Sequence, residues 1–208
     1  MILNTAGPSP FGRKIKIALS VLGRSDVEFV TVDTADPHSD NRKQNPLGKI
    51  PTLITEHGPL YDSRVIIEYL HDVAENSPLI PAQQPERSLV LRQSALADGM
   101  MDAAILVVYE TRMRPEDKYV ESFVDYQRQK IIRGLEYLEA QNESYQGAAQ
   151  PNIADISLAC LIDYLDFRKQ VNWRDFAPSL AQWMTDFASQ VPGYHDSLPE
   201  GIDPAPWR

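Results

Sequence analysis

Residues 45–53, with the sequence NPLGKIPTL, restrict the possible fold of this chain more than any other segment. Asn45-Pro46 and Gly48 are turn formers, and they lead through Ile50-Pro51 into a short apolar strand. Because proline has no N–H, Pro51 cannot donate a hydrogen bond to a strand ladder. At the entrance of a strand it therefore belongs to an edge, a bend or a cis peptide bond.

The state of the Ile50-Pro51 bond decides what the Ile50 backbone can do. In a cis bond, the N–H and C=O of Ile50 can turn toward a cleft, where they are free to pair with the peptide backbone of a ligand. On the spacing alone a trans bond is the expectation, because only about 5–6% of X–Pro bonds are cis in folded proteins.

The first 77 residues predict a small α/β domain. Alternating or short apolar runs predict strands at residues 1–4, 27–32, 52–54 and 60–61. A helix with one apolar face lies between the first two strands and ends at Gly23, and a second helix follows Ser63. A right-handed crossover makes the first two strands parallel, and the last two form a hairpin. The order β-α-β-(α)-β-β-α is typical of a thioredoxin-like domain.

The rest of the chain predicts an all-α domain. Residues 78–85 are rich in proline and carry no periodic pattern, which is typical of a linker. The segment that follows, residues 86–208, predicts helices at 86–112, 117–141, 152–167 and 177–191. The helix at 152–167 is almost continuously apolar, so we expect it at the centre of this helical bundle.

Composition excludes several classes of function. A formal net charge of −9 opposes binding to nucleic acid, which needs a basic surface. No apolar run reaches the roughly 18 residues of a membrane span, and the start of the chain has no secretory pattern, so we expect a cytoplasmic protein without a membrane partner. The single cysteine, Cys160, excludes an internal disulfide framework, and the four histidines lack the spacing of metal ligands.

Three motifs occur in a specific order: Ser9-Pro10-Phe11, then residues 45–53, then Asp62-Ser63 ahead of an apolar helix. Together they resemble the glutathione-binding domain of cytosolic glutathione S-transferases, and most of all the small bacterial transferase-like proteins. The resemblance covers the whole chain, because a helical half follows. It implies a thioredoxin-like domain, glutathione as co-substrate, a homodimer and a small hydrophobic or electrophilic second substrate. It also raises the expectation of a cis bond before Pro51.

Ser9 is the candidate catalytic residue. From its position alone, a serine ahead of Pro10 is a common start of a helix, where its side chain satisfies a free N–H. A hydroxyl at a helix N-terminus can also donate a hydrogen bond to a thiolate, with help from the helix dipole. The resemblance places Ser9 at the family's thiol-activating serine. Thr5 is a second hydroxyl close by in the sequence.

The candidate glutathione-binding residues are Lys49, Ile50, Pro51, Asp62 and Ser63. Free N–H groups at a helix start form a ready carboxylate site, so Asp62-Ser63 can cap a helix and also bind a ligand. The resemblance implies that Ser63 receives the γ-glutamyl carboxylate and Asp62 meets the ammonium, although glutamate or glutamine is more usual there. Lys49 is a candidate for the glycyl carboxylate. Arg13 could act similarly, but a salt bridge on the helix surface is its simpler role.

Other polar residues have structural interpretations. Asn152 and Asp155 have the spacing of a capping box at the start of the central helix. Cys160, inside that helix, is predicted to be inert core. Tyr109 and Arg112, on the helix at 86–112, could line an acceptor pocket, with packing and a surface charge as their simpler roles.

Two functions from different classes follow. The first is a glutathione S-transferase that passes the glutathione thiolate to an electrophile. The alternative is a non-catalytic glutathione-binding module on the same fold, acting as a sensor, carrier or docking subunit. A disulfide reductase would need a cysteine at the head of the first helix, where this chain has Ser9.

Overall fold

A computed structural model describes residues 1–141 and 150–199 of the chain. Its first half contains one four-stranded sheet in the order β2-β1-β3-β4, made of β1 (Ile2–Thr5), β2 (Glu28–Thr31), β3 (Thr52–Thr55) and β4 (Gly58–Leu60). β1 pairs with β2 in parallel and with β3 in antiparallel, and β3 pairs with β4 in antiparallel. The predicted parallel pair and the predicted hairpin are therefore confirmed.

Three helices accompany the sheet: α1 (Pro10–Val21), α2 (Asn41–Gln44) and α3 (Ser63–Val73). Helix α1 packs against α3 and against the helical half of the molecule, so apolar side chains such as Ile15, Ile17 and Leu19 are all buried. The chain leaves α1 through Gly23, whose φ of +64° lies in the left-handed region that glycine adopts without a Cβ penalty. The predicted helix and its end at Gly23 are confirmed.

In the described part of the second half, the α-helices are α4 (Glu86–Met113), α5 (Glu121–Ala140), α6 (Ile153–Arg168) and α7 (Leu180–Gln190). Helix α5 begins later than predicted, because a 3-10 turn precedes it and the buried carboxylate of Glu110 accepts from the Val120 N–H at 3.1 Å. Helix α7 also begins later, since the residue before Pro178 is disfavoured in a helix. Among the described residues, no helix is long and apolar enough to cross a bilayer.

Helix α6 is buried on all sides and packs against α1 and α4, as expected for the central helix. Both halves of its predicted capping box are present: Asn152 Oδ1 accepts from the Asp155 N–H at 3.2 Å, and Asp155 accepts from the Asn152 N–H at 3.0 Å.

Cys160 is 1% exposed, and burial raises the pKa of its thiol to about 12. The thiol therefore stays protonated at neutral pH, as expected for inert core.

Two buried ion pairs join α1 to the helical half. Arg13 pairs with Asp163 of α6, and it also donates to the Ser197 hydroxyl at 3.0 Å. Lys14 donates to both carboxylate oxygens of Asp98, on α4, at 2.8 and 3.0 Å. The surface role expected for Arg13 is wrong, because its side chain is 4% exposed and its partner comes from the other half of the chain.

The predicted boundaries, at residues 1–77, 78–85 and 86–208, stay a prediction. Residues 142–149 and 200–208 of the last segment lie outside the described residues.

Candidate functional site

A cleft of about 150 Å³ lies where four segments of the chain meet around the predicted binding residues. It is lined by the first turn of α1, by the chain entering β3, by the start of α3 and by α4. All five predicted glutathione-binding residues line it: Lys49, Ile50, Pro51, Asp62 and Ser63.

The chain entering β3 is held rigidly by its own side chains. The carbonyl oxygen of Lys49 accepts hydrogen bonds from Asn41 Nδ2 at 3.1 Å, Asn45 Nδ2 at 3.0 Å and Thr52 Oγ1 at 3.2 Å. The next peptide bond, Ile50-Pro51, is cis, so the trans form favoured by spacing alone is not adopted. Within the described parts of the chain, nothing pairs with the backbone N–H or C=O of Ile50. A fixed donor and a fixed acceptor are therefore available at the cleft.

The start of α3 offers a second set of polar groups. Asp62 is the N-cap, and its Oδ1 accepts from the Arg64 N–H at 2.9 Å. Ser63 is the first helical residue and is only 3% exposed. Its hydroxyl lines the cleft and forms no hydrogen bond with the residues that the structure describes. An unpaired hydroxyl at the positive end of a helix is suited to receive a carboxylate.

Lys49 is exposed at the rim of the cleft, and no carboxylate of the described residues lies within 4 Å of its ammonium. A ligand carboxylate would therefore not compete with an existing ion pair at this position.

Sequence reasoning missed two residues of the cleft, Arg64 and Asp102. Arg64 Nε lies 3.2 Å from Asp98, the buried carboxylate that also holds Lys14. Burial raises the pKa of Asp102, Arg64 opposes that shift, and the neighbouring Asp98 adds to it. The sequence does show that a basic residue, Arg64, directly follows Ser63, and this could have indicated a further charged group at the cleft. Nothing local in the sequence links it to carboxylates more than thirty positions away.

Ser9 lies beside the cleft rather than in its lining. It is the N-cap of α1, and its Oγ accepts from the Gly12 N–H at 3.1 Å. Phe11, two residues further along the chain, lines the cleft, whereas Ser9 lines a separate cavity of about 10 Å³ that also touches Tyr164 and Phe167 of α6. Thr5, the alternative hydroxyl, is 2% exposed beneath Gly12, and its Oγ1 lacks a hydrogen-bond partner in the described structure.

Two family models match the chain, one for each half. The N-terminal domain of glutathione S-transferases matches residues 5–78, and the C-terminal domain matches residues 86–186. The chain belongs to the glutathione S-transferase family. The predicted family and the predicted two-part fold, a thioredoxin-like domain followed by a helical domain, are thereby confirmed.

Individual members of the glutathione S-transferase family extend the match to most of the chain. An uncharacterized GST-like protein of Escherichia coli is 37% identical over 166 residues, which are 77% of this chain and 80% of that protein. A glutathione S-transferase from Methylobacillus flagellatus, solved with glutathione bound, has a TM-score of 0.86 at 36% identity and covers 95% of this chain and 98% of its own.

A glutathione transferase family member from Pseudomonas fluorescens was solved with bound S-(propanoic acid)-glutathione. Its TM-score is 0.83 at 37% identity, and the match covers 97% of this chain and 98% of that one. Similarity at this level extends over both halves of the molecule.

Proposed function

We propose that this protein is a glutathione transferase that passes the glutathione thiolate to a small electrophile. The observation that carries the proposal is the unpaired set of polar groups in the cleft: the backbone N–H and C=O of Ile50 and the hydroxyl of Ser63. Ser63 is 3% exposed and Ile50 is half-buried, and their unpaired groups face a space of about 150 Å³. Their pattern fits a peptide with a carboxylate at one end.

Glutathione would lie in the cleft with its cysteinyl backbone paired to Ile50. Its γ-glutamyl carboxylate would meet the Ser63 hydroxyl and the start of α3, its ammonium would meet Asp62, and its glycyl carboxylate would meet Lys49. Pro51 would hold Ile50 in place at the entrance of β3. Two solved relatives carry glutathione or a glutathione conjugate, which supports this ligand.

Ser9 would stabilise the thiolate. Its oxygen already accepts from the Gly12 N–H, so its own O–H proton remains to be donated to sulfur. A thiol with a pKa near 8.5 is about 3% ionised at pH 7, and a shift of about two units makes the anion dominant. One hydrogen bond to a charged group contributes about 1.5–3 kcal/mol, which is enough for most of that shift.

In the reaction with an aryl halide, the thiol proton first leaves to solvent. The sulfur lone pair attacks the ring carbon that carries the halogen, a C–S bond forms, and the C–halogen bond breaks with its electron pair on the halide. The protein supplies orientation of the two reactants and a stabilised nucleophile.

Calorimetric titration with glutathione, followed by turnover of 1-chloro-2,4-dinitrobenzene, tests the proposal. The parent should bind glutathione, and Ser63→Ala should weaken binding by about tenfold, because the bound carboxylate loses one hydrogen bond. Ser189→Ala, which removes an exposed hydroxyl on α7, is the matched control and should leave binding unchanged. Binding without turnover on several classes of electrophile would favour the alternative, a non-catalytic glutathione-binding module.

The assembly and location that we propose are a homodimer in the cytoplasm, acting on small hydrophobic or electrophilic substrates. Large apolar side chains exposed on α3 and α4 support the dimer, among them Val65, Leu89 and Leu91. A thiol co-substrate also suits a reducing compartment. Sedimentation equilibrium should give twice the 23.5 kDa of one chain.

A further inference from the structure

The last turns of α6 form an aromatic wall next to Ser9. Tyr164 and Phe167 line the small cavity onto which Ser9 opens. The guanidinium of Arg168 lies over both rings, 4.4 Å from the centroid of Phe167 and 5.3 Å from that of Tyr164. A cation is therefore held against the aromatic surface near Ser9, the residue proposed to stabilise the thiolate.

Arg168 lacks a carboxylate partner in the described structure, and so does Arg112 on the last turn of α4. The Nε of Arg168 is buried and has no hydrogen-bond partner there. The nearby carboxylate of Asp166 is already taken, because it pairs with Arg174 at 2.7 Å. What sets Arg168 apart from other basic residues without a carboxylate partner is its position, because its guanidinium is stacked on the two rings that line the cavity beside Ser9.

Both arginines act on the same phenol. Burial raises the pKa of Tyr164, while the positive charges of Arg168 and Arg112 oppose that shift. Tyr164 lines the cavity beside Ser9 and lies under the Arg168 guanidinium, and α4, which carries Arg112 on its last turn, packs against α6. The cavity itself, about 10 Å³, has room for about one water-sized group. An acceptor could place only its reacting atoms there, and its body would extend along Tyr164 toward the arginines.

We propose that Arg112 and Arg168 form an anion-binding subsite of the acceptor pocket, and that the preferred electrophiles carry a carboxylate on the side away from the reacting carbon. This inference rests on the proposed transferase function. Arginine suits the role because its planar fork binds a carboxylate in a bidentate manner and stacks on aromatic rings.

A pair of glutathione conjugates tests the subsite without requiring turnover. S-(4-carboxy-2-nitrophenyl)glutathione carries the carboxylate, and S-(4-carbamoyl-2-nitrophenyl)glutathione is its neutral match. Titration calorimetry on the parent should show the carboxylate conjugate binding about tenfold more tightly, which corresponds to about 1.4 kcal/mol. Arg112→Gln and Arg168→Gln should each reduce this ratio, and the double variant should bring it close to one.

Two further variants separate a specific contact from a general charge effect. Arg92→Gln removes the same charge from the same helix, about 30 Å away along α4, and should leave the ratio unchanged. Arg168→Lys keeps the charge and should keep part of the preference. Affinity for unsubstituted glutathione should be the same in the parent and in every variant.

The outcomes distinguish this inference from the proposed function. Equal binding of the two conjugates by the parent, or a preference that survives in the double variant, overturns the subsite. Failure of glutathione and of both conjugates to bind overturns the proposed function and the subsite with it. A carboxylate preference that depends on both arginines, in a protein that turns over no electrophile, supports the subsite and overturns the transferase proposal.

Discussion

Single residues at the cleft differ from their neighbours in having polar atoms without partners. The side-chain amides of Asn41 and Asn45 donate hydrogen bonds to the Lys49 carbonyl oxygen and so fix the backbone ahead of β3. The Ser63 hydroxyl, in contrast, has no hydrogen-bond partner in the described structure. Thr5 shows that an unpaired hydroxyl alone is not enough, because it is buried beneath α1 where no ligand can reach it. Position at an open cleft is what makes Ser63 and Ile50 candidates for binding.

Ser9→Ala should raise the pKa of the bound glutathione thiol by about one to two units, because one charge-assisted hydrogen bond is lost. At pH 7 the ionised fraction of the thiol, and kcat/KM with it, should then fall by about threefold to twenty-fivefold. The thiolate's ultraviolet absorbance, followed against pH at saturating glutathione, measures the shift. Thr5→Val removes the other nearby hydroxyl at constant volume and should leave the thiol pKa unchanged. An unchanged pKa in Ser9→Ala would remove Ser9 from the mechanism.

Among the elements, α1 depends on a close approach to β1. A Cβ added at Gly12 would lie 2.0 Å from Thr5 Oγ1, so the Thr5 side chain must change its rotamer or the strand and the helix must move apart. Gly12→Ala should therefore lower the free energy of unfolding by about 1–3 kcal/mol. Combining it with Thr5→Ala, which removes the clashing atom, should recover much of the loss. Urea denaturation followed by circular dichroism checks both values, and additive losses would contradict the contact.

The capping box of α6 gives the protein a pH dependence. Burial raises the pKa of Asp155 to about 6 in the folded state, above the value of about 3.9 expected in the unfolded chain. The folded state therefore binds the proton more tightly, and the stabilisation from that proton is lost as the pH rises through about 6.

Asp155→Asn should abolish this dependence, because the amide oxygen still accepts from the Asn152 N–H and carries no charge. Between pH 5 and pH 7 the parent should lose about 1 kcal/mol relative to Asp155→Asn in the free energy of unfolding. Parallel urea titrations across this range measure the difference. A constant difference between the two proteins would show that Asp155 titrates at an ordinary pKa.

At the scale of the whole molecule, two buried ion pairs attach the sheet half to the helical half. A charge that loses its buried partner typically costs about 3–5 kcal/mol, whereas replacing both charges by apolar groups costs far less. Asp163→Asn should therefore destabilise strongly by leaving Arg13 unpaired. The double variant Arg13→Met with Asp163→Leu should be more stable than Asp163→Asn.

Chemical denaturation at one fixed protein concentration checks this order, with probes in both halves of the chain. Lys43→Ala, at the exposed pair with Asp40, is the control and should leave the free energy of unfolding unchanged. A double variant no more stable than Asp163→Asn would mean that the charges themselves, rather than the unpaired arginine, hold the two halves together.

By itself, the sequence determined the order of strands and helices, the parallel pair, the hairpin, the capping box and the segments that meet at the cleft. These follow from information that is local along the chain: hydrophobic periodicity, turn residues, caps and short motifs. The motif from residue 45 to 53 predicted Ile50 at the entrance of a strand, where it lines the cleft, although spacing alone favoured the wrong state of the bond that follows it.

Only the tertiary structure decided the partners of the charged residues. Arg13 meets Asp163 across 150 positions and Lys14 meets Asp98 across 84, and no pattern in the sequence connects them. The same holds for Arg64 and Asp102 at the cleft. A charge finds its partner through the packing of distant helices, and that packing follows from the burial of apolar surface over the whole chain rather than from any short segment.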